Sequence, residues 1–211
     1  LSQQAETMLF QEDYLQAEKY WEESLMLTRQ GTDKRDVGVS WVLYGLGNVV
    51  RLQGDYERAK TLFEEALAIA REIAYRDNIA WSLTRLGQVM LAQGNDQQAT
   101  TRVKESILWY WEIRQIFGLA ESEAVLGSVA LAQQQPARAV QLFAAADKLL
   151  IATGWHMVPN DHTEYAGNIA KARALLGEQR FGAAWAEGQA MTLEQAVDYA
   201  LGLNDETSTA Y

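Results

Sequence analysis

No cysteine occurs in the 211 residues, so neither a disulfide framework nor thiolate chemistry is open to the chain. That fits a reducing compartment, and the expected location is the cytoplasm. Histidine is almost as scarce. His156 and His162 are the only two, six residues apart across Pro159 with Asp161 between them, which matches no metal-ligand spacing. With so few candidate bases and no G-x-S-x-G elbow, the expectation is a chain with no catalytic residues, no metal and no cofactor. Two prolines are few, as long uninterrupted helices require. No apolar run approaches the roughly 18 residues of a membrane span, and the segment from Leu1 to Glu6 has no signal-peptide pattern. Basic charge is short as well: 18 Lys and Arg against 28 Asp and Glu leave a net charge of −10. Nucleic-acid binding and docking on an anionic membrane both need the opposite sign. No G-x-x-x-x-G-K-[ST] phosphate loop is present.

What the sequence has in abundance is repetition. Gly47, Gly87, Gly127 and Gly167 are spaced by 40, the first three following Leu46, Leu86 and Leu126. Ala59, Ala99 and Ala139 keep the same step, as do Gln53, Gln93 and Gln133. Gly54 matches Gly94, Phe63 matches Phe143, and Trp41 matches Trp81. Within a unit, Leu43, Leu46, Gly47 and Val50 form one helical face. Gly54-Asp55-Tyr56 then reads as a turn with Asp55 as N-cap, followed by a second stripe of Ala59, Phe63 and Ala66. Pro136 stands near a first helical position, where its missing N–H costs nothing. Upstream, Tyr14, Ala17, Trp21 and Ser24 repeat the second stripe. Downstream, Phe181, Ala184 and Gly188 repeat it with a slip, and Thr192 to Gln195 reads as a capping box.

These residues, above all Leu46-Gly47, Gly54-Asp55-Tyr56, Ala59 and Phe63 with their equivalents, resemble the tetratricopeptide repeat (TPR), whose usual period is about 34 residues. The resemblance implies an all-α, right-handed solenoid of about five helical hairpins with a C-terminal capping helix. The expected organisation is a single array over residues 1–203, with units at 1–34, 35–76, 77–117, 118–153 and 161–190, a cap at 192–201 and a frayed tail at 204–211. The stretches Leu142-Phe143-Ala144-Ala145-Ala146, Ala172-Arg173-Ala174-Leu175-Leu176-Gly177-Glu178 and Phe181-Gly182-Ala183-Ala184-Trp185-Ala186-Glu187-Gly188 resemble a narrower group. That group is the C-terminal repeat region of large bacterial signalling ATPases and LuxR-type transcriptional regulators. The resemblance implies a sensor or scaffold cut from a longer chain; the nucleotide- and DNA-binding motifs of that family are absent here.

Binding is therefore expected to fall to the groove that first helices line in such arrays. Trp41, Tyr44, Asn48 and Arg51 share a helical face lying away from the core stripe. Trp81, Thr84, Arg85 and Gln88 repeat it, then Glu121, Ala124 and Ser128. Asn48, Gln88, Ser128 and Asn168 would form a polar ladder. The expected partner is a protein or peptide, or a small-molecule effector, with Asn48 and Arg85 as ligand contacts that matter little for stability. The alternative for Trp41 and Trp81 is packing between neighbouring units. Tyr44 and Thr84 stand where members that clamp a peptide carboxylate are expected to carry lysine. The acidic pairs Glu22-Glu23 and Glu64-Glu65 read as solvated helix faces, and Trp109-Tyr110-Trp111 as a cluster with at least one ring packed between units.

Overall fold

A computed structural model describes residues 1–30 and 36–203. Those residues form eleven helices and no strand. They are α1 (Ser2–Phe10), α2 (Tyr14–Arg29), α3 (Val37–Leu52), α4 (Tyr56–Glu72), α5 (Arg76–Ala92) and α6 (Asp96–Ile113). α7 (Ile116–Ala132), α8 (Pro136–Thr153), α9 (Pro159–Leu176), α10 (Glu178–Ala190) and α11 (Leu193–Leu201) follow. The first eight pair as antiparallel hairpins, and each second helix packs on the first helix of the next pair. The chain is an all-α solenoid. The tail at 204–211 lies outside the described residues.

Local chemistry sets the helix ends. The Asp55 carboxylate accepts the Arg58 N–H at 3.1 Å, and Asp13 caps α2 in the same way. Pro136 opens α8, and Thr192 with Gln195 forms a reciprocal capping box on α11. Between α3 and α4, and between α5 and α6, the chain turns through Gly54 and Gly94 at φ of 87° and 76°. At the corresponding place Gln134 takes φ of 60°, a left-handed conformation that costs a non-glycine residue about 1 kcal/mol.

The glycine ladder marks where the helices of a pair cross. A Cβ on Gly47 would come within 2.8 Å of the Phe63 ring, one on Gly127 within 2.6 Å of Phe143, and one on Gly87 would overlap Val103. A second set works between pairs, where Gly45 receives the Trp21 ring and Gly118 the ring of Tyr110. Of the Trp109-Tyr110-Trp111 cluster, Tyr110 is the ring that packs between units. Buried hydrogen bonds add register. Asn78 donates to Ser40 at 2.7 Å, and the Ser122 hydroxyl lies 3.0 Å from those of Thr84 and Ser106. Thr84 is thus spent inside the array and does not face the groove. On the outer side, Arg58 pairs with Glu18 and Glu22, and Arg29 with Glu65, as exposed pairs that contribute little each.

The pattern stops after α8. Gly167 has no atom within 4 Å of where its Cβ would stand, so the 40-residue spacing outlasts the packing that explains it. α10, rather than α9, lies closest along α8, with Gly188 tight against the Gln141 carbonyl. α11 closes over α6 to α8: the Lys104 ammonium donates to the Leu201 carbonyl at 2.6 Å, and Arg138 donates to that of Tyr199 at 2.9 Å. Freed from the hairpin pattern, α9 turns its first residues into the groove.

One core position breaks the repeat. Glu123 stands 40 residues after Leu83 and 80 after Leu43, and like them it is fully buried. Neither carboxyl oxygen has a hydrogen-bond partner, and burial pushes the group up from an ordinary 4.5 to about 8. Below pH 4.5 the folded and unfolded chains are both protonated there. Between 4.5 and 8 only the unfolded chain gives up its proton, so stability falls by about 1.4 kcal/mol per pH unit. Above 8 both states are ionised and the loss levels off.

Two outcomes test this packing. Gly87→Leu should cost about 3 kcal/mol or more in urea unfolding, whereas Gly167→Leu should be neutral or stabilising by up to about 1 kcal/mol, leucine being the better helix former. Equal costs at both positions would show that the crossing glycines are misassigned. Glu123→Leu, restoring the residue of the two preceding units, should raise stability by an amount that grows between pH 5 and pH 8. A gain independent of pH would mean that the carboxyl is ionised in the folded chain.

Candidate functional site

The groove along α3, α5 and α7 has a polar half and an aromatic half. In the polar half, two arginines grip one carboxylate. Arg51 Nη2 lies 2.8 Å from Asp161 Oδ1 and 3.1 Å from Oδ2, and Arg85 Nη1 lies 3.1 Å from Oδ2. Asn48 Oδ1 accepts from Arg51 Nε at 3.2 Å and Nη2 at 2.9 Å, while Gln88 Oε1 accepts from Arg85 at 2.8 Å. Glu121 approaches Arg85 at 3.6 Å. The side chains of Arg51, Arg85 and Asp161 are only 6–8% exposed. Burial alone would raise the Asp161 carboxyl, but the two guanidiniums outweigh it and hold it below the usual aspartate range.

Asp161 belongs to the first turn of α9, so the chain's own helix occupies this half of the groove. Asn168 continues the contact, donating to Ser128 Oγ at 3.1 Å, and Tyr165 donates to the Phe143 carbonyl at 2.9 Å. Beneath α9 a void of about 30 Å³, lined in part by Gln88, Ser128 and Tyr165, has room for about one water. The polar groove side chains expected to meet a partner, Asn48, Arg51, Arg85, Gln88 and Ser128, are thereby engaged from within. Arg85 is part of a buried ion cluster as well as lining the groove, which argues against the expectation that it matters little for stability.

The aromatic half is open. Trp41 and Trp81, one unit apart, meet edge to face with ring centroids 5.2 Å apart. Tyr44 stacks on Trp41 at 5.7 Å and reaches Trp81 at 5.8 Å, and Trp21 of α2 reaches Trp41 at 6.4 Å. Across from them the α8–α9 loop brings Trp155 onto Phe117 at 4.4 Å, with the Trp155 indole N–H donating to Glu121 at 3.1 Å. Between these walls lies a cavity of about 240 Å³, rimmed by Glu6, Leu9 and Phe10 of α1 and by His156. Trp41 and Trp81 pack on each other, as the alternative reading has it, and they also line this space.

The sequence profile of the tetratricopeptide repeat matches residues 1–72 and, one unit further on, 39–107, together 107 of the 211 residues. The chain belongs to the tetratricopeptide repeat family. Two solved structures show the same arrangement of tetratricopeptide repeats. One holds the nearly identical TPR-like repeats of a protein assigned as a kinesin light chain of Podosopora anserina. It is 13% identical, with a TM-score of 0.60 over 99% of this chain and 95% of that one. A single-substitution variant of that same protein is 15% identical, with a TM-score of 0.62 over 97% and 94%. At that identity the likeness concerns the fold. No curated protein sequence matches the chain. Tetratricopeptide repeats are typically protein-interaction modules, and first-helix residues in such arrays face the groove where Trp41, Tyr44, Trp81 and Glu121 meet.

Sequence reasoning found those four residues but not Asp161, Trp155, Phe117, Trp21 or Glu6. Asp161 drew notice only for its place beside His162. Among the described residues no cluster of three metal-ligating side chains occurs, and His156 stands on the cavity rim.

Asp161→Ala strands two buried guanidiniums and should cost about 3–5 kcal/mol, less whatever Glu121 recovers by approaching Arg85. Because the folded Asp161 is depressed, its contribution is present above the ordinary aspartate value near 4 and is lost as pH falls through the lower folded value. Acid titration followed by tryptophan fluorescence should show α9 leaving the groove below about pH 4. An unchanged acid limb in Asp161→Asn would contradict this assignment.

Proposed function

We propose that the chain is a non-catalytic interaction and sensing module, the repeat region of a larger bacterial signalling or transcriptional regulator acting in the cytoplasm, and that it takes its ligand in the aromatic half of the groove. The observation carrying the reading is the cavity between the Trp41–Tyr44–Trp81 cluster and the Trp155–Phe117 pair. Small-molecule sites are concave, mostly apolar and fitted with a few polar groups that orient the ligand. This one has a largely apolar lining with Asn48, Arg85 and Glu121 among its polar groups.

The same observation ranks the two kinds of ligand. An extended peptide lying along the groove needs the polar ladder, and α9 fills it. A compact effector needs only the cavity and can be taken without moving α9. The module thus fits best as an effector sensor. A stand-alone adaptor that captures a peptide requires α9 to be displaced first.

Two measurements test the proposal. A thermal-shift screen of metabolites on the intact chain should yield a ligand that stabilises it, by about 2.7 kcal/mol at a hundred times its dissociation constant. Trp81→Ala should abolish that shift; a ligand whose effect survives both Trp81→Ala and Trp41→Ala binds elsewhere. The reading frame of the gene decides the second half. An upstream phosphate-loop ATPase in the same frame is the expected result, and a short frame starting near Leu1 would make the chain an adaptor.

A further inference from the structure

The aromatic cavity carries a charge balance that the repeat architecture does not demand. Counting His156 as neutral, its ionisable lining is two carboxylates, Glu6 and Glu121, against one guanidinium, Arg85. Arg85 is already committed to Asp161 and Glu121, and Arg51 behind it is committed to Asp161. Glu121 spends its second oxygen on the Trp155 indole. Glu6 is different. It is half-buried against the apolar rim formed by Leu9 and Phe10, and no hydrogen bond or ion pair reaches it among the described residues. Burial alone raises its carboxyl, with no cation to pull it back. A desolvated carboxylate with no partner is unfavourable, and a cation brought by a ligand relieves it.

Trp21, which is among the residues lining the same space, carries a second unsatisfied group. The Trp21 side chain is 2% exposed, and its Nε1 has no acceptor. Buried indole N–H groups normally find one. The remaining walls are the ring systems of Trp41, Trp81, Tyr44 and Trp155. Indole is the strongest of the aromatic side chains in attracting a cation, and the attraction grows once water is excluded.

An anion in this space would meet Glu6 and Glu121 with no free guanidinium to offset them. A neutral apolar body would fill the walls but leave Glu6 desolvated and Trp21 unpaired. We propose that the cavity binds a small organic ammonium ion, an alkylated amine carrying an acceptor oxygen, with the ammonium held by the tryptophan rings and Glu6 and the oxygen accepting from Trp21 Nε1. The proposal rests on the reading of the cavity as the effector site and adds the charge class of the effector.

Acetylcholine and its uncharged carbon isostere, 3,3-dimethylbutyl acetate, have the same shape and the same ester oxygens and differ in charge. Each is titrated into the intact chain, followed by tryptophan fluorescence, since four of the seven tryptophans line the cavity. The expected result is saturable quenching by acetylcholine with an affinity at least about tenfold above that for the isostere. Glu6→Gln should reduce the acetylcholine affinity by about tenfold while leaving the melting temperature and the isostere affinity unchanged. Trp81→Leu should weaken both ligands. Equal binding of the two esters overturns the ammonium assignment and leaves the cavity standing as an effector site of another charge class. No saturable quenching by acetylcholine at millimolar concentration also overturns it, and the metabolite screen then decides the cavity independently. Preference for the cation that persists undiminished in Glu6→Gln removes Glu6 from the site and sinks the proposal in this form.

Discussion

The contact on which the array depends is a bare glycine backbone under a large side chain of the partner helix. Gly47 under Phe63 and Gly127 under Phe143 let two helices approach until the ring fills the gap, and Gly87 under Val103 does the same with a smaller side chain. Each pair then presents a fixed shape to the next, where Gly45 and Gly118 repeat the device with Trp21 and Tyr110. Interiors packed in this way tolerate little change in volume. Every first helix is consequently held in the same orientation, and residues 40 apart, such as Trp41 and Trp81, arrive side by side. The aromatic half of the groove is a product of that regularity.

The polar half comes from the failure of the same regularity. Once Gly167 has no helix to receive, α9 is not bound to its neighbours as earlier first helices are, and its first turn reaches across to α3 and α5. A buried ion cluster is a poor source of net stability, because removing charges from water costs as much as their attraction returns. It is a good device for choosing one arrangement, since a slip of α9 by one residue would strip Arg51 of its carboxylate and leave Arg85 with Glu121 alone. The cavity owes its far wall to this choice: the loop fixed by the docking of Asp161 is the one that carries Trp155 onto Phe117.

Features written in local spacing were legible in the sequence. The crossing glycines, the Asp55 cap, the Thr192 capping box and the shared face of Trp41, Tyr44 and Trp81 all follow from residues less than one unit apart or from one strict period. Gly167 satisfies the period, yet nothing stands within 4 Å of where its Cβ would be, so spacing alone does not report whether a close helix crossing persists. Asp161 was hidden for the opposite reason. Its partners lie 110 and 76 residues away, and nothing near Pro159 hints at them. Glu123 fell on a core stripe that its neighbours fill with leucine, and only the fold shows that its carboxyl is dry. Glu6 and Trp21 reach the cavity from the first hairpin, whose second helix was expected to bury its stripe and nothing more.

The docking of Asp161 also bears on acidic partners. A carboxylate carried on the same chain as its receptor arginines competes as though it were present at millimolar concentration or above, whatever the protein concentration is. A free acidic peptide has to exceed that effective concentration before it gains either guanidinium, and a weak one never does. Arg51 and Arg85 are the cations of the groove, yet in the docked state they are screened from the acidic sequences they would otherwise attract. A net charge of −10 adds a general repulsion of acidic sequences in the same direction.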